Sequence, residues 1–125
     1  MRKAVIVFIL MAGITAVFAQ NFSAMSKEDA TQWVHSHIKY AHYYTTLAES
    51  QKPDVTLRTR TANCGGMALL LLDILDKYNI CSAEIMLVST PKGNHAIVYT
   101  CLLGEYLDPV TGDVYEKLPS GWRKL

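Results

Sequence analysis

The chain has 125 residues, of which 50% are hydrophobic and 18% are charged, and its formal net charge at pH 7 is +1. This length favours one small domain with a single core. A nearly neutral chain without a run of Lys or Arg gives no support to nucleic-acid binding, which calls for a clustered basic surface.

Residues 1–19 have the three-part layout of a secretory signal peptide. A basic start precedes an apolar run that ends at Phe18, and we expect cleavage after Ala19. The run is shorter than the roughly 20 residues of a comfortable membrane span, so a retained anchor is the less favoured alternative. Residues 20–125 are therefore predicted to form one secreted or periplasmic domain without a stable membrane span.

A helix, broken at most once, is predicted from Ser26 to about Ser50. Ser26 is a suitable N-cap, and Asp29 stands at the acidic position of a capping box. The apolar stripe that includes Trp33 and Ile38 is expected to pack on the core.

Three histidines also lie in this segment, and His is a common metal ligand. No acid or cysteine stands at a spacing that would complete a metal site, so we interpret the three as surface or core residues. They are His35, His37 and His42.

The segment from Gln51 to Ala62 has no sustained periodicity and is predicted to be a loop that forms one wall of a cleft. Arg58 and Arg60 are solvated charges by default. Beside a thiolate they would instead stabilise negative charge.

A strongly apolar helix is predicted to begin at Cys64, after the N-cap residue Asn63. The positive end of the helix dipole favours a thiolate at Cys64, which primes this residue as a nucleophile. Gly65 and Gly66 cost helix propensity, and we interpret them as room for a substrate carbonyl to approach the sulfur. Asn79 is a suitable helix stop.

Residues 82–88 and 95–102 are β-prone and flank a turn-rich stretch, which predicts an antiparallel hairpin. If Val88 faces His95, then Cys81 and Cys101 fall nearly opposite each other, and we expect a disulfide between them. The alternative is two buried free thiols.

After this hairpin, Leu103-Gly104-Glu105 is expected to be a tight turn before a short strand, Tyr106-Leu107. Asp108 is expected to close that strand, because Pro109 cannot continue the ladder. Residues 115–125 are expected to add an edge segment.

Three chemically capable residues thus stand at the ends of successive elements: Cys64, His95 and Asp108. A thiol nucleophile needs a base, and an imidazole serves best when a carboxylate fixes its tautomer. Antiparallel strands would bring His95 and Asp108 to the same edge of the sheet. We therefore predict a Cys-His-Asp triad.

The motifs that carry these residues are Asn63-Cys64-Gly65-Gly66-Met67-Ala68, Gly93-Asn94-His95-Ala96 and Tyr106-Leu107-Asp108-Pro109-Val110-Thr111-Gly112. In this order they resemble the transglutaminase-like superfamily of cysteine enzymes. The resemblance implies an α+β fold with the nucleophile on a central helix that packs on a small antiparallel sheet. It also implies an amide hydrolase or acyltransferase that acts on a peptide or protein through a thioester, without a cofactor or metal.

Members of that superfamily supply an oxyanion-stabilising side chain from upstream of the cysteine. The candidates in this chain are Gln51, Tyr44 and Asn63. Two other interpretations remain open. A papain-like or NlpC-type cell-wall peptidase also has Cys before His, but its glycine-aspartate-apolar strand is missing here. A binding-only member of the superfamily would keep the scaffold and hold a peptide in the cleft.

Overall fold

The computed structural model describes residues 25–125, so the predicted signal peptide lies outside the described residues. Among these residues there are four helical segments: α1 (Lys27–His37), a 3₁₀ turn (Leu47–Glu49), α2 (Pro53–Thr59) and α3 (Cys64–Lys77). The strands are β1 (Lys39–Tyr40), β2 (Thr61–Ala62), β3 (Ala83–Thr90), β4 (Gly93–Thr100), β5 (Tyr106–Asp108), β6 (Asp113–Tyr115) and β7 (Arg123–Lys124). None of the helices in this part of the chain is long and apolar enough to cross a membrane.

Helix α1 is much shorter than predicted. Its start is as expected, with Ser26 and Asp29 forming a reciprocal capping box. The helix ends because Ile38 is extended, and the chain then runs as β1 alongside β2, which covers residues 61 and 62. Pairing with a distant segment has therefore overridden the local helical pattern. Trp33 and Ile38 are buried, as predicted.

The segment before the central helix is also more regular than the predicted loop. Pro53 is the first residue of α2, where its fixed φ suits a helix and its missing N–H costs nothing. Arg60 ends α2 in the left-handed conformation, with φ of 61°. Its guanidinium lies 5.5 Å from the centre of the Trp33 ring, so Arg60 packs on α1.

The main sheet has the order β6-β5-β4-β3-β7, with every neighbouring pair antiparallel. Val88 pairs with His95, which is the register that the disulfide prediction assumed, and the turn between β3 and β4 is tighter than expected. The expected C-terminal edge segment contains β7, which lies at one edge of the sheet beside β3, while β6, at residues 113–115, forms the other edge beside β5. The fold is therefore α+β, in agreement with the prediction.

The predicted disulfide between Cys81 and Cys101 is wrong in this structure, where both residues are free thiols. The backbone N–H of Cys101 donates to the carbonyl of Ser82 at 3.0 Å, so Ser82 faces Cys101 and Cys81 lies one residue further on. An offset of one residue turns a side chain to the other face of a sheet. Cys81 accordingly packs against the core, whereas Cys101 is exposed.

The main core lies between α3, α1 and one face of the sheet. Helix α3 contributes more buried residues to this core than any other element, and its Leu70, Leu71 and Leu75 are fully buried. Ala96 and Val98 of β4 meet this face. A second, smaller cluster covers the opposite face of the sheet around Val88 and Ile97, and its partly buried members are Tyr99, Tyr106, Leu118 and Trp122.

Candidate active site

Cys64 is the first residue of α3, as predicted, and Asn63 is the N-cap. The Asn63 side chain accepts a hydrogen bond from the N–H of Gly66 at 3.0 Å and donates to the carbonyl of Tyr43 at 3.0 Å and to the hydroxyl of Thr45 at 2.9 Å. One side chain thus caps the helix and fixes the preceding segment to it. The cysteine therefore has a rigid backbone on both sides.

His95 and Asp108 come together because β4 and β5 are antiparallel neighbours. Val98 pairs with Leu107, so His95 and Asp108 lie diagonally on the same face of the sheet. His95 Nε2 is 2.9 Å from Asp108 Oδ2, and Asp108 is only 1% exposed. The other carboxylate oxygen accepts the N–H of Val110 at 3.0 Å. Both oxygens of Asp108 therefore have donors, and the His95 ring is held by Nε2.

The Cys64 sulfur faces His95, whose Nδ1 is the ring nitrogen that Asp108 leaves available. Partial burial alone raises the pKa of Cys64. The hydrogen bond from His95, the positive charge of its ring and the backbone N–H groups of Ala96 and Gly65 outweigh burial and lower that pKa below its ordinary value of 9.0. The surroundings of Cys64 therefore favour the thiolate.

The electrostatics of His95 are complementary. Burial lowers its pKa, but the hydrogen bonds to Asp108 and Cys64 and the negative charges of both groups raise it from 6.5 to about 9. A lowered thiol pKa and a raised imidazole pKa together describe a thiolate–imidazolium pair. Such a pair holds both an activated nucleophile and a proton to give to a leaving group.

Sequence reasoning missed Trp122, which meets the edge of the His95 ring with a centroid distance of 5.7 Å and an interplanar angle of 85°. Its position depends on β7, since Arg123 pairs with Ser89 at the edge of the sheet. The sequence offered no signal beyond a tryptophan near the C-terminus, because pairing between segments more than thirty residues apart is not visible in local patterns.

The interpretation of Gly65 and Gly66 as open space for substrate is wrong, because both residues are buried. A Cβ on Gly65 would lie 2.2 Å from Ser50 Oγ, and a Cβ on Gly66 would lie 2.8 Å from the Ala62 Cβ. The two glycines therefore let the preceding segment pack closely on the first turn of α3.

The three candidates for the oxyanion-stabilising side chain are not arranged for that role. The amide nitrogens of Gln51 and Asn63 already donate to neighbouring chain segments, including a 2.7 Å bond from Gln51 to the carbonyl of Thr61. Tyr44 is 86% exposed. Sequence reasoning did not select Tyr40. Partial burial raises the pKa of this residue, and the nearby negative charges of Cys64 and Asp108 raise it further.

The three N-terminal histidines each have a protein partner. His35 Nδ1 is 2.9 Å from the carbonyl of Val110, and His37 Nδ1 is 2.9 Å from the carbonyl of Trp33. His42 Nδ1 is 2.9 Å from the hydroxyl of Tyr40. Within residues 25–125, no group of three or more His, Cys, Asp or Glu side chains could hold a metal ion.

Comparison with known proteins identifies a family and a structural neighbour. A search of curated proteins found no match. In structure, the chain is similar to calcium-bound LapG of Legionella pneumophila, with a TM-score of 0.67 and 10% sequence identity over 90% of this chain and 70% of that one. In the part of this chain that the structure describes, carboxylate and histidine groups do not form a cluster that could hold such an ion. In sequence, the family model described as a transglutaminase-like domain matches residues 11–107. Because that match covers most of the chain, the protein belongs to the transglutaminase-like domain family.

Proposed function

We propose that this protein is an exported cysteine-dependent enzyme that cleaves or transfers an amide acyl group through a thioester on Cys64. The observation that supports this most strongly is the single imidazole of His95 between the Asp108 carboxylate and the Cys64 sulfur, with opposite pKa shifts on sulfur and ring. Membership of the transglutaminase-like family supports the same class of chemistry.

In the first half-reaction, the thiolate attacks the amide carbonyl carbon and forms a tetrahedral intermediate. The C–N bond then breaks, and the imidazolium of His95 gives its proton to the leaving amine. The product is a thioester on Cys64 and a neutral imidazole. Asp108 keeps Nε2 of the ring engaged throughout, so that Nδ1 stays directed at the reacting atoms.

In the second half-reaction, neutral His95 takes a proton from an incoming nucleophile. Water gives hydrolysis, and a primary amine gives acyl transfer. Attack on the thioester breaks the C–S bond, and the proton held by His95 restores the thiolate–imidazolium pair. Water is the default acceptor, because it needs no second binding site, and an amine is the competing one.

The proposed substrate is a peptide or protein. The segment beside Cys64 carries exposed aromatic rings, with Tyr43 43% and Tyr44 86% exposed, and the backbone of Tyr43 is tied to Asn63. Rigid aromatic side chains next to a nucleophile provide contact area for an extended chain at low entropic cost. Export follows from the predicted signal peptide, and N-terminal sequencing of protein recovered outside the cytoplasm is expected to start at Gln20.

The test uses the full chain and two reagents. Iodoacetamide at pH 6 with peptide mapping is expected to label Cys64 well ahead of Cys81, because only a thiolate alkylates quickly. p-Nitrophenyl acetate is expected to acetylate Cys64 in a burst, and added dansylcadaverine shows whether an amine intercepts the thioester. A Cys64 that reacts only in the unfolded protein would refute the enzyme and favour the binding-only interpretation.

A further inference from the structure

The site described above has a nucleophile, a base and an orienting acid, but the three upstream side chains considered for the oxyanion are engaged or exposed. One donor is already available. The N–H of Cys64 belongs to the first turn of α3 and has no acceptor within the helix. Removing one oxyanion donor commonly lowers kcat by about 10²–10³, so a second donor beside the Cys64 N–H would contribute strongly to the rate.

The pairing of β1 with β2 fixes Tyr40 close to the start of α3. Tyr40 pairs with Ala62 in a parallel register, two residues before Cys64, and the N–H of Ala41 donates to the carbonyl of Ala62 at 2.9 Å. The same segment is tied to α3 a second time through Asn63. Tyr40 is therefore fixed to the backbone that carries the nucleophile, although 38–44 and 61–66 are distant in sequence.

The chemical state of Tyr40 suits a donor. Burial and the negative charges of Cys64 and Asp108 raise its pKa above 10.0, so the phenol keeps its proton throughout the range in which the thiolate forms. Its hydroxyl is 2.9 Å from His42 Nδ1. When His42 carries a proton on Nδ1, the ring donates to the phenol oxygen, and the phenol proton is left for another acceptor.

We propose that the Tyr40 hydroxyl, oriented by His42, donates a hydrogen bond to the oxyanion that forms when Cys64 attacks a carbonyl. Resting on the proposed function, this completes the site with a neutral donor on β1, the strand that pairs with the residues just before the nucleophile. The other donor is the backbone N–H of Cys64. Tyr40 thus acts on the tetrahedral intermediate, whereas His42 is a positioning residue.

The experiment compares two reactions of Cys64 that differ in whether an oxyanion forms. Alkylation by iodoacetamide is a direct displacement at carbon and passes through no tetrahedral intermediate. Acetylation by p-nitrophenyl acetate does. In Tyr40→Phe, which removes one oxygen atom, acetylation is expected to slow by about 10²-fold, while alkylation stays within about twofold of wild type. Tyr99→Phe, on β4 and partly buried in the second cluster, is the matched control and is expected to change neither rate.

The outcomes separate the two proposals. Equal acetylation rates in Tyr40→Phe and wild type would overturn the role of Tyr40. An equal loss of alkylation and acetylation rates would also overturn it, because it would mean that Tyr40 acts on the thiolate. Wild-type protein that alkylates at Cys64 but never forms the thioester would already overturn the proposed function before any substitution, and with it this role.

His42 has its own test. His42→Ala is expected to lower acetylation by less than Tyr40→Phe and to leave alkylation unchanged. His42→Asn carries an amide N–H near the position of Nδ1 and is expected to restore the acetylation rate. If both variants lose the same amount, or if melting temperature falls in parallel with rate, the orienting role of His42 is refuted.

Discussion

One cysteine begins the central helix α3 and another follows a few residues after its end, and the pKa values of the two thiols are shifted in opposite directions. Cys64 opens the helix and has a lowered pKa, whereas Cys81 follows its C-terminal end and has a raised pKa. Burial raises the pKa of both. Beside Cys64, the His95 ring and two backbone N–H groups reverse that effect. Beside Cys81, Lys27 opposes it, but Cys101, Glu28 and Glu105 add to it.

Partial burial alone therefore does not make a cysteine reactive. Both thiols are partly buried, and both pack against the same core cluster. What differs is the sign of the neighbouring charges and the polarity of the helix end, which is positive at Cys64 and negative towards Cys81. Substitutions around the two cysteines are expected to change this difference in reactivity, with effects that range from complete loss of catalysis to small changes in stability.

The largest effect is expected from Cys64→Ala. Loss of the nucleophile should lower kcat by roughly 10⁶-fold, the order seen when a nucleophile is removed from a triad. Cys81→Ala is the matched control and should keep full activity. Burst kinetics with p-nitrophenyl acetate and a melting curve check both. A melting temperature that drops steeply in Cys64→Ala but not in Cys81→Ala would indicate that Cys64 is structural.

Asp108→Asn should come next, with a loss of roughly 10⁴-fold in kcat. The amide keeps the shape but cannot stabilise the imidazolium, so the pKa of His95 should fall from about 9 towards 6.5. Titration of the His95 ring by NMR, together with the rate, checks this. Full activity in Asp108→Asn would remove this carboxylate from the proposed triad. Asp113→Asn, on the neighbouring strand and exposed, serves as the control.

Gly66→Ala tests how tightly the first turn of α3 is held. The added Cβ would lie 2.8 Å from the Ala62 Cβ, so the free energy of unfolding should fall by about 1–3 kcal/mol. Urea denaturation measures the change. The double variant Gly66→Ala/Ala62→Gly removes the clash, and a double-mutant cycle should show a favourable coupling. If the changes in the free energy of unfolding of the two single variants simply add in the double variant, the close approach of Gly66 to Ala62 is unimportant.

The smallest effect concerns stability against pH. A raised His95 pKa contributes stability that is complete below 6.5 and is lost as pH rises through about 9. A lowered Cys64 pKa contributes stability that is present above 9.0 and is lost as pH falls through the folded value. At pH values above both 6.5 and the folded pKa of Cys64, and below about 9, the folded ion pair and the two neutral unfolded groups hold the same number of protons.

The pair should therefore add almost no slope in that window. In Cys64→Ala only His95 titrates, still raised by Asp108, so the free energy of unfolding should fall as pH rises across the window. Chemical denaturation at several pH values, compared with Cys81→Ala, measures the difference. Parallel curves for wild type and Cys64→Ala would argue against a thiolate–imidazolium pair.

The sequence by itself determined the parts that depend on local chemistry. Asn63 before an apolar helix specified where α3 begins, because an N-cap side chain satisfies an N–H within three residues. The β-prone runs specified the hairpin in which Val88 faces His95. Asp108 closes its strand because Pro109 follows. Since these signals are local, the three predicted triad residues could be named from the sequence.

Tertiary structure decided the features that depend on distant pairing. Helix α1 stops at His37 because the next residues pair with β2, and that pairing also places Tyr40 opposite Ala62, two residues before Cys64. The missing disulfide is not such a feature, because the hairpin register in which Val88 faces His95 already places Ser82, and not Cys81, opposite Cys101. Trp122 reaches His95 because β7 adds to the far edge of the sheet. These contacts join segments that carry no mutual signal in sequence, since each is selected only when the whole core packs.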